Sequence, residues 1–184
     1  METKMIFAGF GGQGVLLAGQ LIAEAGMQKG KNVSWMPSYG PEMRGGTANC
    51  SVVISDDIIG TPIILDPQIL VAMNKPSLES MQNMVVENGT IIYNSSLIKK
   101  DEINKINGIN YIGLPCSEIA LELGNPKVQN MPIIGAVMEV TKSFNEDDIK
   151  KAMLSKFGET KAKMIDLNME AVAKGKETVI KGVN

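Results

Sequence analysis

The feature that most restricts the folds open to this chain lies at its start. An apolar run over 4–9 leads into four glycines in six positions, and a helix-like apolar repeat begins at residue 14. The stretch reads as strand, tight turn and helix, and Gly9, Gly11 and Gly14 match the G-x-G-x-x-G spacing. In that spacing glycines allow the turn, let a ligand approach the backbone, and pack the helix against the strand. Amides at the start of such a helix have no internal partner and face any anion. Gly12 and the side chain of Gln13 belong to the same turn. The competing reading is a glycine turn that only packs.

A dinucleotide site makes a further demand: an Asp or Glu about 20 residues on, at the end of the second strand. That strand, over 32–37, ends in Trp35, Met36 and Pro37 and carries no acid. NAD is therefore disfavoured, whereas another ligand bearing phosphate is not.

The periodicity predicts strands over 4–9, 32–36, 47–54, 69–73, 90–94 and 109–113, with helices over 14–29, 76–86, 116–123, 132–142, 146–156 and 160–175. Strands alternating with helices define an α/β protein, here a three-layer α/β/α, Rossmann-like arrangement with a mostly parallel or mixed sheet covered on both faces. The weak alternation of 47–54 places that strand in the centre, covered. Two helix starts are marked: Asn145 precedes three acids, which suit the positive end of the dipole, and Asn74 stands two residues before Pro76. With no linker or internal repeat, residues 1–184 are expected to form a single domain.

A second motif occupies the loop after the second strand. Pro37-Ser-Tyr-Gly-Pro-Glu-Met-Arg-Gly-Gly46 holds the only arginine, Arg44, in a chain that otherwise uses lysine. A guanidinium binds carboxylate or phosphate in two places at once, which a lysine cannot do. A bond to a neighbour such as Glu42 is the plainer alternative. Open sheets of this class bind ligands beyond the carboxyl ends of their strands. Both motifs follow strands, so Arg44 is expected near the glycine turn, forming an anion-binding concavity with the amides of Gly11 to Gly14 and the side chain of Gln13 as donors. Asn130 is a rim candidate, although a buried amide that satisfies loop backbone is the favoured role for it.

Taken together, Gly9-Phe-Gly-Gly-Gln-Gly-Val15 and Tyr39-Gly-Pro-Glu-Met-Arg-Gly-Gly-Thr-Ala48 resemble the gamma subunit, or gamma domain, of the 2-oxoacid:ferredoxin oxidoreductases. Asn130-Met-Pro-Ile-Ile-Gly135 and Asn168-Met-Glu-Ala-Val-Ala-Lys-Gly175 extend the resemblance across nearly the whole chain. The form of the second motif is most similar to the 2-oxoglutarate and branched-chain 2-oxoacid members. The resemblance implies a multi-chain enzyme that converts a 2-oxoacid, coenzyme A and oxidised ferredoxin to an acyl-CoA, carbon dioxide and reduced ferredoxin. Thiamine diphosphate with magnesium, and iron–sulfur clusters, are implied in alpha, beta and ferredoxin-like delta partners. This chain would help enclose the reaction chamber or the coenzyme A route. The positions expected to bind are Gly9, Gly11, Gly12, Gln13, Gly14, Tyr39, Gly40, Glu42, Arg44, Gly45, Gly46 and Asn130, and no catalytic residue or metal ligand is expected here.

The remaining composition agrees. No histidine is present, so the usual acid-base group near neutral pH is missing, and no Gly-x-Ser-x-Gly elbow or phosphate-binding Gly-Lys-Ser/Thr loop appears. No Gly-Asp-Gly segment of the thiamine-binding kind is found either. Cys50 and Cys116, the only cysteines, are too few for a cluster or a structural zinc. Both read as small buried hydrophobes, although a helix start at Cys116 would favour a reactive thiolate. The net charge of −2 and few aromatics argue against nucleic acid. No run of about 20 apolar residues and no signal-peptide pattern is present, so the expected compartment is the cytoplasm. A homodimer of the isolated chain, a free-standing nucleotide-binding protein and a purely structural subunit remain the alternatives.

Overall fold

The computed structural model describes residues 2–40 and 46–182. Its strands are β1 (Glu2–Phe10), β2 (Asn32–Tyr39), β3 (Thr47–Ser55), β4 (Ile69–Ala72), β5 (Thr90–Asn94) and β6 (Asn110–Leu114), joined in one sheet of order β2-β3-β1-β4-β5-β6. The helices are α1 (Val15–Gln28), α2 (Lys75–Met81), α3 (Cys116–Glu122), α4 (Met131–Thr141), α5 (Glu146–Phe157) and α6 (Ala162–Ile180).

The sheet is mixed. β1, β4, β5 and β6 run parallel, while β3 is antiparallel to both β1 and β2. Connection length explains the reversal: residues 40–46 are too few for a parallel crossover, which takes a dozen or more, so β2 and β3 form a hairpin. β2 nevertheless points the same way as β1. The glycine turn and the end of β2 therefore leave the sheet at one edge, as the two motifs require.

Alternation along the strands divides the core into two layers. Met5, Phe7, Val52, Ile54 and Val71 pack with residues of α1 and α3 to α6. Ile6, Ala8, Val53, Leu70 and Ile91 pack with Leu78 of α2 and with Ile64, Ile98 and Ile103 from irregular segments. The second layer is thin, covers Val53 of β3 and leaves off over the rest of the hairpin. There Met36 and Ser38 of β2 are exposed and Asn49 and Ser51 of β3 are only partly buried. The expectation of a covered strand over 47–54 thus holds on one face and fails on half of the other. No helix lay in the sequence between the hairpin and β4 to cover it.

Helix boundaries follow local chemistry. At α5 the Asn145 side chain accepts from the Asp148 amide at 3.0 Å, and the Asp148 carboxylate accepts from the Asn145 amide at 2.9 Å, a reciprocal capping box. At α2 the Asn74 side chain accepts from the Ser77 amide at 2.9 Å with Pro76 in the first turn. α2 ends at Met81 and tightens into a short 3-10 turn over Gln82–Met84, so the expected helix to 86 is cut short. α6 runs on to Ile180, past the glycine at which the sequence reading stopped it. Gly175 is no terminator but a contact point, because α4 and α6 cross there closely. A Cβ on Gly135 would lie 1.9 Å from the Val172 carbonyl oxygen, and one on Gly175 would lie 2.0 Å from that of Pro132.

Candidate functional site

The glycine turn spans Gly11 to Gly14 between β1 and α1. Gly14 caps the helix in the left-handed region at φ 74°, which other residues adopt only at a cost. A Cβ there would also sit 2.6 Å from the Asn130 side-chain nitrogen. That nitrogen donates to the Gly14 carbonyl at 3.0 Å, and Asn130 is buried. Asn130 thus serves loop backbone, the favoured one of its two roles.

Gln13 departs from the expected role of an anion donor. Its side-chain oxygen accepts from the Phe10 amide at 2.7 Å and from Asn74 Nδ2 at 3.0 Å, and its Nε2 donates to the Met73 carbonyl at 3.3 Å. β1 and β4 are adjacent, and the Met73 amide also donates to the Ala8 carbonyl at 2.9 Å. Gln13 and the Asn74 cap therefore occupy the crevice between β1 and β4, where a doubly wound sheet would seat a dinucleotide. Gly9 makes room for this plug, since a Cβ on it would lie 2.7 Å from the Gln13 oxygen. Asn74 was read as a helix cap only, and nothing in its spacing announced the second bond.

The open side of the turn is its other flank. The Gly11 amide donates to the Gly46 carbonyl at 3.0 Å, and the Gly40 amide donates to the Thr47 carbonyl at 2.8 Å. Backbone therefore joins the two motifs. Between them lies a cavity of about 360 Å³ lined by Phe10, Gly11, Gly12, Gly14, residues 15–17, Tyr39 and residues 46–48. Among the described residues no side chain caps α1, and Gly14 with residues 15–17, whose amides a helix leaves without internal partners, lines this cavity. Gly12, at φ 100°, has nothing within 4 Å of where a Cβ would stand. A smaller recess of about 220 Å³ joins Gly12, Gln13 and Gly14 of the turn to Pro126, Lys127, Gln129 and Asn130. Glu42, Arg44 and Gly45 lie outside the described residues.

Leu16, Leu17, Phe10, Thr47 and Ala48 were not anticipated as lining. The run Val15-Leu-Leu offered a signal, because it is more apolar than one buried helix face needs. Among the cavity's described residues only Tyr39, an exposed side chain, carries a titratable group. Amide donors above an apolar wall bind and orient; they supply no acid or base.

The cysteines stand apart from this chemistry. Burial pushes the Cys50 thiol up to about 12, against a smaller opposing effect of Trp35, and its sulfur lies 3.8 Å from the Val15 carbonyl. Burial, reinforced by Glu118, also pushes Cys116 up to about 12. The helix start does not produce a thiolate there, because desolvation outweighs the dipole. Among the described residues no group of three or more His, Cys, Asp or Glu side chains could hold a metal ion. No helix among them is long and apolar enough to cross a membrane.

Fold and site together define a Rossmann-like α/β protein with a binding edge whose dinucleotide crevice is filled by its own side chains. The chain belongs to the pyruvate ferredoxin/flavodoxin oxidoreductase family, whose pattern matches residues 4–178. It is 37% identical over 175 residues to the ketoisovalerate oxidoreductase subunit VorA of Methanothermobacter marburgensis, covering 95% of this chain and 36% of that one. It is 31% identical over 156 residues to the 2-oxoglutarate synthase subunit KorC of Methanocaldococcus jannaschii, covering 84% and 83%. The keto/oxoacid ferredoxin oxidoreductase gamma subunit of Geobacter sulfurreducens superimposes with a TM-score of 0.80 at 28% identity, covering 97% and 99%. The 2-oxoglutarate:ferredoxin oxidoreductase of Magnetococcus marinus, solved with 2-oxoglutarate, coenzyme A and succinyl-CoA bound, shares the fold at 24% identity and a TM-score of 0.85, covering 96% of this chain and 31% of that one. The chain thus spans about a third of the length of the VorA relatives, 36% in each.

Proposed function

We propose that this chain is the gamma component of a thiamine-dependent 2-oxoacid:ferredoxin oxidoreductase of the 2-oxoglutarate or branched-chain type. The observation that carries the reading is the Gly11 to Gly46 backbone bond, which makes one site of two motifs far apart in the sequence. The chain contributes binding surface, not catalytic groups. Its substrate contact is coenzyme A. The first-turn amides of α1 suit a phosphate, and the apolar wall of Val15, Leu16 and Leu17 suits the pantetheine arm. Arg44 supplies the guanidinium that completes the anion site, with Glu42, Gly45 and Gly40 shaping the loop around it.

Thiamine diphosphate, magnesium and iron–sulfur clusters sit in alpha, beta and delta partners in this reading, because this chain has no Gly-Asp-Gly segment of the thiamine-binding kind and only two of the four thiolates a cluster needs. Ferredoxin accepts the electrons of the whole complex, and the complex is cytoplasmic. A free-standing dinucleotide binder is a poorer fit, since β2 ends in Ser38 and Tyr39 without an acid and Gln13 occupies the crevice.

The test is Arg44→Ala in the assembled enzyme. The expected result is a coenzyme A KM raised roughly tenfold or more, the cost of one charge-assisted contact, with assembly intact. Unchanged KM, turnover and assembly would refute the coenzyme A assignment.

A further inference from the structure

The hairpin leaves a surface that the rest of the fold does not explain. β2 is an edge strand, paired with β3 in unbroken register over eight residues, and residues 32–39 carry no charge. Natural edge strands of this length are blunted by charges, bulges or a covering element. Among the described residues of this strand Pro37 is the only such device. The second face of the same two strands has no helix over it, and it presents Ser34, Met36, Ser38, Asn49 and Ser51, all neutral. The segment after β3 lies on this face too, since its Ile64 packs in one cluster with Val53. In the same segment Ile58 is 91% exposed and Leu65 75% exposed. An uncharged sheet edge, an uncovered uncharged sheet face and exposed large aliphatic side chains thus occur together on one side of the molecule, while the 56–68 segment also carries Asp57 and the ion-paired Asp56 and Asp66, bonded to Lys31 and Lys4.

The relatives indicate what covers it. The same domain exists as part of a chain nearly three times as long in VorA and as a chain of comparable length in KorC. Fusion holds a companion in place by connectivity. A separate chain must hold it by surface alone, and the buried centre of a lasting interface is depleted of charged residues. We infer that the β2–β3 face with its 56–68 segment is the seat of a companion polypeptide, the one corresponding to the remaining two thirds of the VorA chain. This inference rests on the proposed function and adds the location of the joint. The occupied face also lies alongside the hairpin that carries Tyr39, so the companion abuts the coenzyme A site.

The experiment measures binding of the purified chain to the co-encoded polypeptide that matches the rest of VorA, by calorimetry or interferometry. Met36→Lys and Ser51→Lys place a charge on the bare face without touching the core, and circular dichroism with thermal unfolding verifies that each variant is folded. Leu121→Lys, on α3 under the opposite layer, is the control. The expected result is a loss of affinity of about a hundredfold for either face variant, the cost of an unpaired charge in an interface core, with the control within about threefold of wild type. Wild-type binding with face variants also within threefold overturns the location and leaves the subunit reading standing. A wild-type chain that does not bind the companion overturns both. A chain that self-associates through this face, turned monomeric by Met36→Lys with companion binding unaffected, overturns the inference in favour of a second copy.

Discussion

Gly175→Ala should destabilise the protein although alanine is the better helix former. Gly175 lies inside α6, where replacing glycine by alanine gains about 1 kcal/mol of helix propensity. The added methyl carbon would stand 2.0 Å from the Pro132 carbonyl oxygen and 2.5 Å from the Pro132 Cα and carbonyl carbon. Carbon and oxygen settle at about 3.3–3.6 Å even in favourable C–H···O contacts. α4 and α6 would therefore have to part by more than about 1 Å, and the obstacle is helix backbone, which has no rotamer to change. Overpacking of a tight core costs about 1–3 kcal/mol, and a backbone clash belongs at the upper end. The net loss is then about 2 kcal/mol, or a Tm lower by roughly 4–8 °C in a chain of this size. Denaturant titration and calorimetry read both quantities. A second substitution, Gly135→Ala, should cost less in the Gly175→Ala background than alone, because the helices have already parted. A Tm equal to or above wild type for Gly175→Ala would refute the argument that these two glycines exist for close approach.

Asp148 gives a pH signature. Burial raises its carboxyl, but the Asn145 amide and then Lys29 at 3.0 Å outweigh it, so its pKa lies below the ordinary carboxylate value. A depressed pKa contributes stability that is fully present above the unfolded value of about 3.9 and is lost as pH falls through the folded one. Asp148→Asn should therefore cost about 1 kcal/mol at neutral pH, the worth of a cap. The gap to wild type should close below about pH 4 in urea titrations; a gap constant with pH would refute the linkage. For the cysteines, native protein should take up no iodoacetamide at about pH 8, where a thiol with its pKa near 12 is almost wholly protonated. The unfolded chain should take up two adducts by mass spectrometry, and rapid native labelling of Cys116 would revive the reactive-thiol reading.

Most of the fold was legible because its strongest signals are local. The glycine turn, the Asn145 and Asn74 caps and the apolar strand cores each declare themselves within a few residues, and the elements they predict are found with small boundary shifts. The direction of β3 was also legible in principle, from the shortness of 40–46. What could not be read was set by contacts across the chain. Gly175 looks like a helix stop until α4 is seen beside it. Gln13 looks like a ligand donor until Asn74 and the Met73 carbonyl, some 60 residues away, claim its amide. The pairing of the two motifs was expected from strand direction alone, and it is realised by the end of the β1–β3 ladder, Gly9 opposite Ala48 and Phe10 opposite Thr47, extended by the Gly11 to Gly46 bond, which no side-chain pattern could announce.

That bond turns a stretch of sequence into a ruler. From Gly11 the chain descends one face of the sheet through the 14 residues of α1, about 21 Å at 1.5 Å each. It returns through the 8 residues of β2, about 26 Å at roughly 3.3 Å each. The outward and homeward legs must agree for Gly46 to arrive beside Gly11. An added helical turn in α1 would overshoot the foot of β2 by about 5 Å, more than the length of a hydrogen bond. The interval between the motifs is thus a length that insertions and deletions cannot freely change, even where every residue within it can be exchanged.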